Sequence, residues 1–302
     1  MASPITITVA RHTASEVTLD KLSQRALDIF HEVEEACTRF TPSSPLMRAN
    51  ETPTRWHRVP RVLFVALQEA YAAYQRTQGV FDPRVLSDLV ALGYDASLRF
   101  GSSDLPLVVR DDVETSRELW QPRFRAHKKG VWLGEAVELG GIGKGLAVRW
   151  ASEVLATQLG EYLVEAGGDC YLAGCAPDGD AWRVGVEDPL GGDLPLAVLS
   201  VSDRAVATSS VRIRHWRVGE QPVHHLIDPR TRRSGGDGLA AVTVVGSDPA
   251  DAEVDAKTLF LAGRENIANA ALAQETAALW CDVEGRVNVS PTMRPYLCWE
   301  RA

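Results

Sequence analysis

The chain has 302 residues, 45% of them hydrophobic and 24% charged, with a formal net charge of −8. This is globular composition, long enough to bury a sizeable core, and its acidic balance argues against a general nucleic-acid binder. The five cysteines (Cys37, Cys170, Cys175, Cys281 and Cys298) are odd in number and lack Cys-x-x-Cys spacing, which argues against a disulfide framework or zinc site and for thiols in a reducing compartment.

The start, Met1-Ala2-Ser3-Pro4, has neither a basic segment nor a long apolar one, so no signal peptide is read there. The longest apolar runs, such as Val62 to Leu67, are too short to span a bilayer. The expectation is a cytoplasmic protein without membrane or nucleic-acid partners.

Residues 5–9 alternate and are β-branched, which predicts a strand. Leu22, Ala26, Ile29, Val33 and Ala36 recur at helical spacing and predict an amphipathic helix over 20–36. Thr41 to Asn50, rich in Pro and Ser, reads as a loop. A second helix is expected from Pro60 to Arg76, ended by Gly79. Leu105 to Val109 and Gly130 to Leu133 read as short strands. Gly140 to Gly145 reads as a glycine-rich turn entering a helix that reaches Leu159. Leu163-Val164, Trp182 to Val186, Leu196 to Val201 and Ala240 to Val245 read as strands. Asp248 before Pro249 marks the start of a helix running to Leu261, with Gly263 beyond it. This mixed order argues α+β rather than a regular βαβ alternation.

Several stretches carry chemistry. Gly167-Gly168 before Asp169 allows backbone to approach a ligand closely. Glu138-Leu139-Gly140-Gly141-Ile142-Gly143-Lys144-Gly145 superficially suggests a phosphate loop. It fails the Walker pattern, since Glu138 falls on the first glycine and Gly145 on the Ser/Thr, and it fails the dinucleotide fingerprint by spacing. It is either a set of amides and a lysine for phosphate oxygens or a tight strand-to-helix turn. His225, three residues before Asp228 and a proline turn, is either a base or a satisfied histidine at a strand end. His224 alternates to the other strand face.

Taken together and in order, these blocks resemble the flavin-transferase (ApbE) family, which moves FMN from FAD onto a protein threonine or serine. Phe40 to Asn50 is similar to the family's early loop, and Thr77-Gln78-Gly79-Val80-Phe81-Asp82-Pro83 to its T-x-G-x-F-D-P segment. Glu138 to Val148, Ala166 to Asp169, Trp182 to Pro189, Ala205 to Ser209 and His225 to Thr231 follow in family order. The resemblance covers residues 20–265. It implies an α+β fold of the ApbE type, related to the T-fold, with mixed sheets, flanking helices and a single domain over 1–302.

The resemblance also implies FAD in a cleft and an acceptor flavoprotein carrying a Thr or Ser. Val80, Phe81, Asp82, Glu138, Lys144, Asp169, Thr208 and Ile227 take cofactor-facing positions, and Asn50 maps near the adenine end. Phe81 can equally be core, and Asp82 before Pro83 can simply shape a turn. His225 is the candidate base. Asp228 either orients it or serves a neighbouring turn.

The chain departs from the family where magnesium is held. On the family's metal helix, Asp and Thr stand four residues apart, on one face. Here Glu253 and Lys257 fall at those places, with the Gly141 carbonyl as a further metal ligand. A protonated lysine cannot bind a metal. Lys257 either replaces part of the magnesium charge and contacts the pyrophosphate, or pairs with Glu253 one turn away. Asp255 and Thr258 offer another oxygen pair only if the helix changes register. Ser210 replaces a glycine, Arg149 replaces a common Asp, and no Met-Gly-Thr entrance block is present. The expected activity is FMN transfer with release of AMP. The alternatives are FAD binding without transfer, or FAD hydrolysis to FMN and AMP.

Overall fold

The computed structural model describes residues 4–95, 104–105 and 118–301. Its centre is a seven-stranded sheet whose strands we number in chain order: β1 (Ile5–Val9), β2 (Tyr162–Ala166), β3 (Asp169–Ala173), β4 (Arg204–Ser210), β5 (Leu239–Gly246), β6 (Ala277–Asp282) and β7 (Val287–Val289). They lie side by side in that order, each antiparallel to the next.

Two layers cover this sheet. One face carries α1 (Glu16–Cys37), α5 (Gly143–Ala156) and α6 (Pro249–Leu261). The other carries a smaller sheet of Trp182–Val186, Ala197–Val201 and Leu297–Glu300. The strands alternate accordingly. In β4, Ala205 and Ala207 pack in the cluster under α6, whereas Val206 joins the cluster under the smaller sheet. Small side chains on β4 and β5 let α6 sit close, and Phe260 is fully buried there. Removing that ring costs about 3–5 kcal/mol.

Remaining helices are α2 (Pro45–Glu51), α3 (Arg61–Arg76), α4 (Leu86–Ala91) and α7 (Gly263–Ala273). The expected helix over 20–36 starts earlier, because Ser15 caps it by accepting from Thr18 N. The stretch 41–50, read as a loop, is half helix. Ser44 accepts from Met47 N (3.1 Å) and Pro45 fills the first helical position, so Asn50 stands on α2. A further helix, α7, begins at Gly263, where the sequence pattern marks only the end of α6. Asp104–Leu105 pairs parallel with Arg217–Val218, and the rest of the expected strand, 106–109, lies outside the described residues.

Gly167 and Gly168 have a role in the sheet itself. They form the two-residue turn joining β2 to β3, with Ala166 opposite Asp169 and φ of +59° and +93°. Positive φ at both central residues is what such hairpins need, and glycine supplies it without strain.

Among the described residues, no helix is long and apolar enough to cross a membrane.

Candidate active site

α5 and α6 meet at a glycine. A side chain at Gly145 would come within 2.5 Å of the Pro249 carbonyl oxygen and 2.6 Å of Ala250 Cα. This close crossing places Lys144 beside Glu253. Arg149 strengthens it by pairing with Asp248, the N-cap of α6, and with Glu69 on α3 (2.7 Å). The unusual arginine therefore braces three helices.

The Lys144 ammonium bridges two buried carboxylates. It donates to Asp169 Oδ2 and to Glu253 Oε1, the latter at 2.6 Å. Glu253 Oε2 accepts from Gly145 N (2.8 Å), and Asp169 Oδ1 accepts from Thr208 N (3.1 Å). One network thus ties α5, α6, β3 and β4 together. Burial opposes the Lys144 charge, but Asp169 and Glu253 outweigh it and raise its pKa. Burial pushes the Asp169 carboxyl up to about 6, against the pull of Lys144 and with help from Glu253.

The pairing of Glu253 with Lys257, one of the two alternatives, does not form. Both Glu253 oxygens are taken, and the residue is only 5% exposed. Lys257 instead reaches over the 138–142 turn. Its Nζ lies 1.9 Å from where a Cβ on Gly141 would stand and 5.8 Å from the Phe81 ring centroid. Burial lowers the Lys257 pKa. The charges of Glu138 and Glu253 oppose that shift, and those of Lys144 and Arg214 add to it. The alternative oxygen pair is committed as well. Asp255 binds Arg76 (2.5 Å), and the Thr258 hydroxyl donates to the Asp255 carbonyl (3.1 Å).

Several amides of the glycine turn are used within the protein. Gly143 N donates to Leu139 O (2.8 Å), Gly145 N to Glu253, and Gly140 N to Glu138 Oε2 (2.8 Å). Asn50 holds this turn from behind. Its Nδ2 donates to Val137 O (2.8 Å) and its Oδ1 accepts from Val137 N (2.9 Å), which commits the amide to backbone. Asp82 is likewise committed. It accepts from Arg84 N, Nε and Nη2 at 2.8–3.2 Å in a buried pair. Phe81 is core, fixed by Phe81 N donating to Thr77 Oγ1 (3.0 Å), and half-buried Val80 packs against the cluster under α6.

His225 follows the strand Gln221–His224, which pairs with His215–Val218. Its backbone N donates to Arg214 O, and its Nδ1 lies 3.3 Å from the same oxygen. A carbonyl only accepts, so Nδ1 carries the proton and Nε2 keeps its lone pair. Burial first, then Arg214, Lys257 and His224, hold the imidazole well below its ordinary pKa. His224 faces elsewhere. It packs edge-on against Phe260 (5.8 Å), and burial pushes it down to about 4.

Asp228 does not reach His225. Its carboxylate accepts from Arg230 N (2.9 Å), Nε (3.0 Å) and Nη2 (2.7 Å), closing the turn after Ile227–Asp228. Ile227 is buried beside Trp216 and Val223. The Thr208 hydroxyl pairs with Thr243 Oγ1 (2.9 Å) across β4 and β5. Ser210 Oγ accepts from Arg212 N (3.1 Å) in the turn that follows β4.

The structure therefore brings Lys144, Asp169 and Glu253 together, and Lys257, Gly141, Phe81 and His225 into a second neighbourhood. Sequence reasoning missed Arg214, whose only signal was its place just before a short strand. A depression of about 630 Å³ lined by Tyr71, Tyr74, Leu119 and Trp120 contains none of these groups.

A divalent cation does not fit this arrangement. Magnesium wants six oxygens near 2.1 Å, yet both oxygens of Glu253 are used and an ammonium covers Gly141. Among the described residues, no group of three His, Cys, Asp or Glu is placed to hold a metal.

Two lysines and two buried carboxylates thus gather where α5 and α6 cross, with His225 near Lys257. A model of the ApbE family matches residues 1–280. A Chlamydia pneumoniae protein named FAD:protein FMN transferase is 29% identical over 218 residues, 70% of this chain and 65% of that protein. One of the same name from Klebsiella pneumoniae (strain 342) is 25% identical over 279 residues, 88% of this chain and 81% of that one. In fold, the chain is similar to the ApbE protein of Thermotoga maritima, with a TM-score of 0.81, 23% identity, and coverage of 99% of this chain and 100% of that one. The chain belongs to the ApbE family, a family of flavin transferases.

Proposed function

We propose that this chain is an FAD:protein FMN transferase acting on a threonine or serine of an acceptor flavoprotein. The acceptor hydroxyl attacks the FMN phosphorus of FAD, a P–O bond of the diphosphate breaks, and AMP leaves with the bonding pair. His225 Nε2 takes the hydroxyl proton. The observation that carries this reading is the imidazole itself, held neutral with Nδ1 on the Arg214 carbonyl and Nε2 left to accept. The names of the curated relatives support the same activity.

The other residues divide by role. Val80, Glu138, Lys144, Thr208 and Lys257 border the flavin cleft, and Phe81 and Ile227 back it from the core. Asn50, Asp82, Asp169, Asp228 and Glu253 are positioning residues, because their polar atoms are committed to the protein. Positioning matters in phosphoryl transfer, where the protein chiefly aligns the reactants and offsets charge. Incubation with FAD and a flavoprotein acceptor, followed by a denaturing gel, tests the reading. Flavin fluorescence that stays with the acceptor band supports it, and acceptor without flavin after FAD has been consumed contradicts it.

A further inference from the structure

We propose that Lys257 takes the place of a divalent cation here, so that its ammonium meets the diphosphate of FAD and the chain binds this dinucleotide without a metal. The assignment rests on the flavin reading of the cleft.

Three observations carry it. First, the acidic residue at the metal-helix position is spent: Glu253 caps Gly145 N and pairs with Lys144. Second, the ammonium lies over Gly141, whose carbonyl the family resemblance implies as a metal ligand. Gly141 contributes no side chain, and the space a Cβ would fill belongs to Lys257 Nζ. Third, among the described residues Lys257 Nζ has no hydrogen-bond or ion-pair partner, although it stands one helical turn from a carboxylate. An unpaired, half-buried ammonium opposes folding, so its placement suits an anion that arrives later.

The surroundings agree. Arg214 adds a second positive charge near both Lys257 and His225. The facing carboxylate of Glu138 accepts from Gly140 N through Oε2 (2.8 Å), and its charge acts on Lys257 without forming an ion pair. An ammonium offers three N–H donors to phosphate oxygens and one unit of charge. That charge offsets what develops on the AMP phosphate as the P–O bond breaks.

The test is FAD binding by the full chain, followed by flavin fluorescence with excess EDTA and again with excess magnesium chloride. The expected result is the same affinity in both buffers. Lys257→Met should weaken FAD about ten- to a hundred-fold and leave riboflavin, which has no phosphate, unaffected. Lys257→Arg, which keeps the charge, should retain metal-free binding. Lys257→Thr, which also removes the charge, should bind FAD as weakly as Lys257→Met in both buffers, because Glu253 stays committed to Lys144 and Gly145 N. Binding of FAD by the unaltered chain only when magnesium is present overturns the assignment and leaves the flavin reading standing. Absence of FAD binding in either buffer overturns the flavin reading itself.

Discussion

The ammonium of Lys257 occupies the space that a side chain at Gly141 would need, with Nζ 1.9 Å from the Cβ position. The glycine's value there is its missing side chain: φ at Gly141 is not in the left-handed range. A Gly141→Ala variant pushes the flexible end of Lys257 aside without striking backbone, although Phe81 must also give a little (3.2 Å). The expected outcome is a thermal midpoint within a few degrees of the unaltered protein and FAD affinity reduced about ten-fold. Calorimetry and a fluorescence titration check the two halves separately.

Among the described residues, Lys144 is the one cation between Asp169 and Glu253. Removing it as Lys144→Met leaves two buried carboxylates facing each other. Breaking a buried pair from one side costs about 3–5 kcal/mol, and urea denaturation should show a loss of that order. Replacing both carboxylates together with it, as Lys144→Met with Asp169→Asn and Glu253→Gln, should recover part of the loss. A single variant as stable as the unaltered chain would mean the network does not hold α5 to α6.

The imidazole of His225 makes a pH prediction. Its folded pKa is lowered from 6.5 by burial, Arg214 and Lys257. The unfolded chain therefore binds its proton at a higher pH than the folded chain does. The contribution of His225 to stability is present above pH 6.5 and is lost as pH falls through the folded value. An NMR titration should find this ring neutral at pH values where an exposed histidine is charged. In Lys257→Met the ring should titrate at a higher pH than in the unaltered chain, because one of the lowering charges is gone.

The Asn50 side chain is committed to backbone. Its amide satisfies both backbone groups of Val137, three residues before Gly140. Asn50→Ala orphans a buried donor and a buried acceptor, each costing about 1–3 kcal/mol. Asn50→Asp keeps the acceptor and loses the donor, so it should fall between. Chemical denaturation ranks the three proteins, and FAD affinity should fall in the same order as the 138–142 turn loosens.

Much of the architecture was legible because local chemistry agrees with it. Asp248-Pro249 announces α6, and the alternation at 5–9 and 240–245 announces β1 and β5. The same start signal, Ser44-Pro45, was present at α2, but the density of Pro and Ser around it reads as loop. Two glycines before Asp169 resemble a ligand approach until pairing shows that they close a hairpin. The site was legible in membership but not in partnership. Lys144 and Glu253 are 109 residues apart, and nothing local says that their charges meet. Spacing at i,i+4 left a Glu253–Lys257 pair open, yet the crossing at Gly145 brings a better-placed cation to Glu253 and leaves Lys257 for the turn.

The central claim is that flavin moves to a protein hydroxyl, and the stoichiometry of one reaction tests it most directly. Chain, FAD and an acceptor domain are incubated in EDTA, and AMP, free FMN and acceptor-bound flavin are quantified by chromatography and intact-mass spectrometry. The account predicts one acceptor-bound flavin for each AMP released, little free FMN, and loss of both products in His225→Ala. AMP matched by free FMN, with the acceptor unmodified, would show that water is the nucleophile and contradict it.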